Sequence, residues 1–222
     1  MRDFFQFAAD LPVAGFSVTI PHKRRVIRYL DHVDPLARRI GAVNTVWRKA
    51  GKWRGANTDA AAVSGPLSKL IRLAGATALI VGNGGAARGA ACALIDAGAK
   101  VSLTGRNPDR VRALARLTGC DPLSHDQALA SYFDIVVNAT PLGMNDGDPL
   151  PMDVDRISPD TFVGEVVMKQ EITPFLAAAR SRGCEIQVGT DMLFEQIPAY
   201  LEFFGFRTTT PDELRAVAQI NY

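Results

Sequence analysis

Apolar residues along this chain fall in short runs closed by glycine or proline. Residues 13–20 are rich in β-branched positions, are interrupted by Ser17 and stop at Pro21, which predicts a buried strand entering a loop. A helix over residues 23–30 is expected next. Between Ala42 and Asn57 two strand-like runs flank Lys49-Ala50-Gly51-Lys52, predicting a hairpin whose second strand ends near Asp59. From Ala76 the pattern becomes regular: a strand at 77–81, a glycine turn, an alanine-rich helix at 85–97 and a strand at 100–104. Further strands follow at 133–137 and 161–167, then a helix at 173–182, with Gly75, Gly98, Asn107-Pro108, Gly119 and Gly183 at the reversals between elements. Such alternation predicts parallel strands joined by crossover helices, an α/β fold. Over 191–204, Leu193, Ile197, Leu201 and Phe204 recur at helical spacing, and Gln196 emerges beside Leu193, Tyr200 and Phe203.

Composition narrows the function classes. The 222 residues are 47% hydrophobic and 22% charged, long enough for a real core, and a soft prior of roughly 150 residues per domain allows one large domain or two small ones. Lys+Arg 25 against Asp+Glu 23 leaves a net charge of +2, too weak a field for nucleic acid or an anionic membrane as the main partner. A small molecule is the expected partner. Cys92, Cys120 and Cys184 are odd in number and unpaired in spacing, and are expected to be reduced, buried thiols. The first residues carry no leader-like pattern and no long apolar run occurs, so a soluble, cytoplasmic protein is expected. His22, His32 and His125 do not cluster, and no metal is assigned.

The strongest local signal is Gly82-Asn83-Gly84-Gly85-Ala86-Ala87, directly after an apolar strand and before an alanine-rich helix. A glycine turn there lets backbone N–H groups approach a pyrophosphate at a helix N-terminus. After the next strand the chain reads Thr104-Gly105-Arg106-Asn107, with Arg110 one helical turn on. A carboxylate at that place would hold the ribose 2′-hydroxyl of NAD, whereas an arginine suits a 2′-phosphate, so NADP is favoured over NAD. Lys23, Asn44 and Asp59 each sit at a strand end in the first region, where single polar residues are also ordinary surface groups and helix caps.

Six segments taken together, VTIPHK, GAVNT, ANTDA, GNGGAAR, NATPLGM and GTDMLFEQ, resemble the shikimate dehydrogenase family in order and spacing, over about residues 15–205. The resemblance implies a Rossmann-like parallel-sheet nucleotide domain at 61–189, inserted in a smaller α/β substrate domain at 1–60 plus 190–222. It implies NADP-dependent, or in some branches NAD-dependent, interconversion of 3-dehydroshikimate and shikimate, with quinate as an alternative substrate, by a monomer or homodimer. Lys23 and Asp59 would be the catalytic pair, and Thr19, Asn44 and Gln196 would bind ring hydroxyls. Gly82, Asn83, Gly84, Gly85, Ala86, Arg106, Asn107, Arg110 and Gly189 would hold the cofactor, with Thr140, Gly143 and Met144 near its nicotinamide. Family members begin with about fifty further residues, including a Ser-x-Ser that grips the substrate carboxylate, so the substrate domain is expected to be incomplete. This leaves open a misplaced start, a fragment of a fusion or a catalytically silent NADP-binding paralogue. Uncovered strand edges and Phe4, Phe5 and Phe7 would then favour association or instability. Where the family carries an aspartate and a tyrosine, this chain has Glu165 and Met168, and the lost phenol puts the choice among related ring acids in doubt.

Overall fold

The computed structural model describes residues 1–220. Its first part contains α1 (Arg2–Asp10), β1 (Gly15–Ser17), a 3-10 turn at Val26–Tyr29, β2 (His32–Val33), α2 (Pro35–Ile40), β3 (Thr45–Lys49) and β4 (Lys52–Ala56). These strands form one sheet in the order β1-β3-β4-β2. The expected hairpin is present, with Lys49 opposite Lys52. Ala50 and Gly51 both take positive φ, the two-residue turn whose twist matches that of paired strands. The second strand stops at Ala56 because Asp59 already opens the next helix.

Three expectations change here. The strand at 13–20 shrinks to Gly15–Ser17: the Val18 N–H still donates to the Asn44 carbonyl at 2.7 Å, in register with the ladder, but the Asn44 N–H goes to the Ala56 carbonyl and returns no bond. The helix at 23–30 is a turn followed by the 3-10 segment. The Lys23 carbonyl, which an α-helix would offer to residue 27, instead accepts from Val43 N at 2.8 Å. The amino-terminal segment forms α1, which buries Phe5 edge-on against Phe4, Phe16 and Trp53 and stacked on Tyr29, while Phe4 and Phe7 stay exposed.

The chain continues through α3 (Asp59–Leu70), β5 (Thr77–Val81), α4 (Gly85–Asp96), β6 (Lys100–Thr104), α5 (Pro108–Thr118), β7 (Asp121–Pro122) and α6 (His125–Leu129). It ends with β8 (Ile135–Asn138), β9 (Phe162–Glu165), α7 (Pro174–Ser181), β10 (Ile186–Gln187), α8 (Asp191–Phe203) and α9 (Pro211–Val217). The elements expected from Thr77 onward are found with ends displaced by at most two residues. The second sheet runs β10-β9-β8-β5-β6-β7 and is parallel throughout. Chain order thus starts in the middle at β5, proceeds to one edge, then returns to β8 and proceeds to the other. This is the doubly wound order of dinucleotide-binding folds, in which ligands lie outside the carboxyl ends of the strands where the order reverses.

Alternation along β5 divides the core. Ile80 packs with Leu67, Leu94 and Leu103 on one face, and Leu79 packs with Val163, Phe175 and Leu176 on the other. The two sheets meet through α3 and α4. A Cβ at Gly89 of α4 would lie 3.2 Å from the Asp59 Cβ, so a side chain at 89 would require this close helix pair to give by a few tenths of an ångström. Among the described residues no helix is long and apolar enough to cross a membrane.

Candidate active site

Three backbone segments are tied together before any side chain acts. Val43 N donates to the Lys23 carbonyl at 2.8 Å, and Asn44 N to the Ala56 carbonyl at 3.1 Å. The turn carrying Lys23, the start of β3 and the end of β4 therefore form one frame. Asp59 is the first residue of α3, where the exposed N–H groups of the first turn favour negative charge.

On that frame Lys23 Nζ meets Asp59 Oδ2 at 2.8 Å, the two side chains being 17% and 5% exposed. The other oxygen, Asp59 Oδ1, accepts from Asn44 Nδ2 at 2.9 Å and from Gln196 Nε2 at 3.2 Å. Asn44 is itself fixed: its amide nitrogen also reaches Thr58 Oγ1 at 2.9 Å, and its Oδ1 accepts from Thr58 N at 2.9 Å and Thr45 Oγ1 at 3.0 Å. The arrangement holds an ammonium group at the lip of a buried carboxylate, with two primary amides behind it. Such a group can stabilise or protonate an oxygen that gains negative charge.

Four of the sequence-predicted residues, Lys23, Asp59, Asn44 and Gln196, are thus brought into one hydrogen-bonded cluster. Thr19 is exposed at the mouth and enters none of these bonds. Tyr200, Thr58 and Thr45 join the cluster without having been singled out from the sequence. Tyr200 was visible only as a neighbour of Gln196 one turn along α8. Its hydroxyl donates to Gln196 Oε1 at 2.7 Å, and burial pushes its phenol above its ordinary value.

The glycine turn lies between the end of β5 and the start of α4, at the switch between β5 and β8. Gly82 has φ 130°, and a Cβ there would fall 2.8 Å from the Ala139 carbonyl oxygen, so the turn needs glycine on two counts. Around Gly84 nothing lies within 4 Å of the place a Cβ would take. Gly85 faces the cluster, its notional Cβ 3.4 Å from Lys23 Cδ, so the loop and the lysine share a wall. Beside the loop, Thr104 Oγ1 at the end of β6 is buried without a partner. Arg106 and Arg110 are exposed and form no ion pair among the described residues. Asn107 serves as the N-cap of α5, its side chain accepting from Arg110 N at 3.0 Å.

An open turn, an unpartnered hydroxyl and two uncommitted guanidinium groups along one edge fit a phosphorylated dinucleotide. The 140–144 loop follows β8. Thr140 N and Oγ1 both donate to Asn138 Oδ1, and Gly143 is held by Asp148 and Gln170. Met144 is exposed. Gly189 packs so tightly that a Cβ would fall 1.9 Å from the Val167 carbonyl oxygen. An open pocket of about 430 Å³, lined in part by Tyr132, Met152, Arg156 and Arg182, lies at the amino ends of β8 and β9 and shares no residue with the cluster.

A doubly wound parallel sheet with a glycine turn at its switch point, set against a buried lysine–carboxylate pair, defines a protein of the dinucleotide-binding fold class. Comparison with known proteins gives this class a family. Residues 1–46 match the model of the shikimate dehydrogenase substrate binding domain, and residues 67–142 match that of shikimate / quinate 5-dehydrogenase. The chain is 42% identical over 218 residues to the shikimate dehydrogenase (NADP(+)) of Acidiphilium cryptum, covering 95% of this chain and 78% of that protein. The crystal structure of shikimate dehydrogenase from Aquifex aeolicus superposes with TM-score 0.90 at 32% identity, covering 99% of this chain and 82% of its own. That of the Thermus thermophilus enzyme in complex with NADP(H) and shikimate gives 0.86 at 31% identity, covering 97% and 82%. The chain belongs to the shikimate dehydrogenase family.

Proposed function

We propose that this protein is an NADP-dependent oxidoreductase that reversibly reduces 3-dehydroshikimate to shikimate, a step toward aromatic amino acids. The observation that carries the reading is the Lys23–Asp59 pair, 2.8 Å apart and set against the glycine turn. Bound NADPH would supply the hydride. Lys23 meets the substrate ketone oxygen, and as that oxygen gains negative charge the ammonium stabilises it and transfers a proton to it. Asp59 keeps Lys23 pointed at the reacting oxygen, and the neutral amine regains its proton from solvent at the mouth before the next cycle. Gln196, which donates to Asp59 Oδ1 through one N–H, turns its other toward a ring hydroxyl; Asn44, whose two N–H groups go to Asp59 Oδ1 and Thr58 Oγ1, meets one by exchanging the Thr58 bond, and Thr19 adds another.

Gly82, Asn83, Gly84, Gly85 and Ala86 would hold the pyrophosphate, and Arg106 and Arg110 the 2′-phosphate, since a planar guanidinium suits such an anion. Asn107 supports this edge as the cap of α5. Thr140, Gly143 and Met144 would border the nicotinamide, and Gly189 would add a further cofactor contact. The protein acts in the cytoplasm as a monomer or homodimer, with residues 1–60 plus 190–222 as its substrate domain and 61–189 as its nucleotide domain.

The test follows absorbance of the reduced nicotinamide with shikimate or quinate, and with NADP or NAD. Wild-type turnover of shikimate with NADP is expected. Lys23→Ala is expected to lower kcat by about a hundredfold or more while NADPH binding is retained. Unchanged turnover in that variant would remove Lys23 from the reaction, and turnover of quinate with NAD alone would move the protein to the quinate branch.

A further inference from the structure

Tyr200 carries a hydroxyl in the cluster that the reaction as described does not use. It donates to Gln196 Oε1 at 2.7 Å and receives Asn44 Nδ2 at 3.4 Å. The hydroxyls of Thr58, Thr45 and Ser17 and the Asp59 carboxylate are near enough to act on its ionisation. Both amides that touch it also donate to Asp59 Oδ1, whose partner oxygen holds Lys23. The phenol oxygen is therefore one hydrogen bond from each of two groups in direct contact with the reacting pair.

Its ring is fixed from behind. Tyr200 stacks on Phe204, and Phe204 lies against β1 at Gly15, where a Cβ would come within 2.3 Å of the Phe204 ring. Ser17, on the same strand, is exposed. The hydroxyl thus sits on a rigid aromatic support, partnered by side chains, at the border between the buried carboxylate and the open mouth. A half-buried tyrosine such as Tyr200, if it served packing alone, would need one partner for its hydroxyl. This one is surrounded by groups that also suit a polyol, and its raised pKa keeps it protonated as a donor.

We propose that Tyr200 is a substrate-contacting residue that sets specificity: its hydroxyl exchanges its bond to Gln196 for one to a ring hydroxyl of the substrate, and with Asn44 and Gln196 it reads whether that hydroxyl is present. The proposal rests on the ring polyol acid being the substrate. A site built around hydrogen bonds to a hydroxyl rejects the analogue lacking it, because its own polar groups are left unpaired.

The experiment compares wild type with Tyr200→Phe, which keeps the ring and removes only the oxygen, on shikimate and on its three analogues lacking a single ring hydroxyl. Expected is a rise of about tenfold in KM and in the Kd for shikimate, with kcat changed less than about threefold and NADPH affinity unchanged. For one deoxy analogue, the wild-type preference for shikimate is expected to fall by the same factor in the variant. Equal losses on every analogue, or none, overturn the proposal, since a tyrosine that only packs or only orients Gln196 would not single out one hydroxyl. Shikimate Kd measured without cofactor separates this inference from the assigned activity. Binding that depends on Tyr200 without turnover sinks the reaction and keeps the contact, whereas a wild type that binds no shikimate sinks both.

Discussion

Glu165 ends β9 with 3% of its surface exposed. Its Oε2 accepts from Asn138 Nδ2 at 3.4 Å, while its Oε1 has no partner. Around it stand Val63, Leu67, Val137, Val166, Gln187 and Met192, none of which carries positive charge. Burial therefore pushes its carboxyl from 4.5 up to about 7, with the Thr173 hydroxyl and the Asn138 amide opposing only in part. The sign of the resulting pH dependence is fixed. Below about 4.5 the group is protonated in both folded and unfolded chains and costs nothing. Between 4.5 and about 7 the unfolded chain ionises first, so stability falls as pH rises, and above about 7 the whole penalty is in place.

The gap between the two values, at about 1.4 kcal/mol per pH unit, comes to roughly 3 kcal/mol. Glu165→Gln keeps the shape and removes the charge, so it should abolish this slope. A chain of this size gains about 2–4 °C in Tm per kcal/mol, so the variant should melt roughly 6–12 °C above wild type at pH 8.5 and level with it at pH 4.5. Circular dichroism melts across that range provide the assay. Parallel curves for the two proteins would show that Glu165 is solvated or paired in a way that the burial argument excludes.

Other outcomes follow from single contacts. Arg106→Ala should raise KM for NADP by about tenfold or more and leave KM for NAD unchanged, and equal effects on both cofactors would remove the arginine from 2′-phosphate recognition. Gly189→Ala forces a Cβ to within 1.9 Å of the Val167 carbonyl oxygen. It should cost about 2 kcal/mol or more in urea unfolding, and a wild-type midpoint would refute so close an approach of the two backbones.

The nucleotide half was legible because its signals are local. An apolar run, a glycine turn and an alanine-rich stretch over residues 77–97 state strand, turn and helix without help from distant residues. The helix from Asp59 to Leu70 was not predicted, and it contains Gly65 and Pro66, residues unfavourable inside a helix. Gly65, however, is where Glu195 of α8 lies against α3, and Pro66 sits inside the helix, sustained by packing on α4 and α8. Phe5 looked like an uncovered apolar residue because Phe16, Tyr29 and Trp53, which enclose it, lie well along the chain. At the site, Lys23, Asn44, Asp59 and Gln196 were found through their motifs. Tyr200 had no motif, and its bond to Asn44 spans 156 positions, beyond the reach of any periodicity.

The Asp59 carboxylate also bears on how the chain assembles. Its partners lie 36 positions before it at Lys23, 15 before it at Asn44 and 137 after it at Gln196. The parallel sheet is assembled from sequence lying between α3 and α8, so the Gln196 bond closes a loop around an entire second core. Contacts of such separation form late, after the entropy of closing the loop has been met by nearer ones. The Asp59 cluster is then a seal on the folded chain: loosening α8 should open it while both sheets remain intact, so that ligand binding disappears before the fold does.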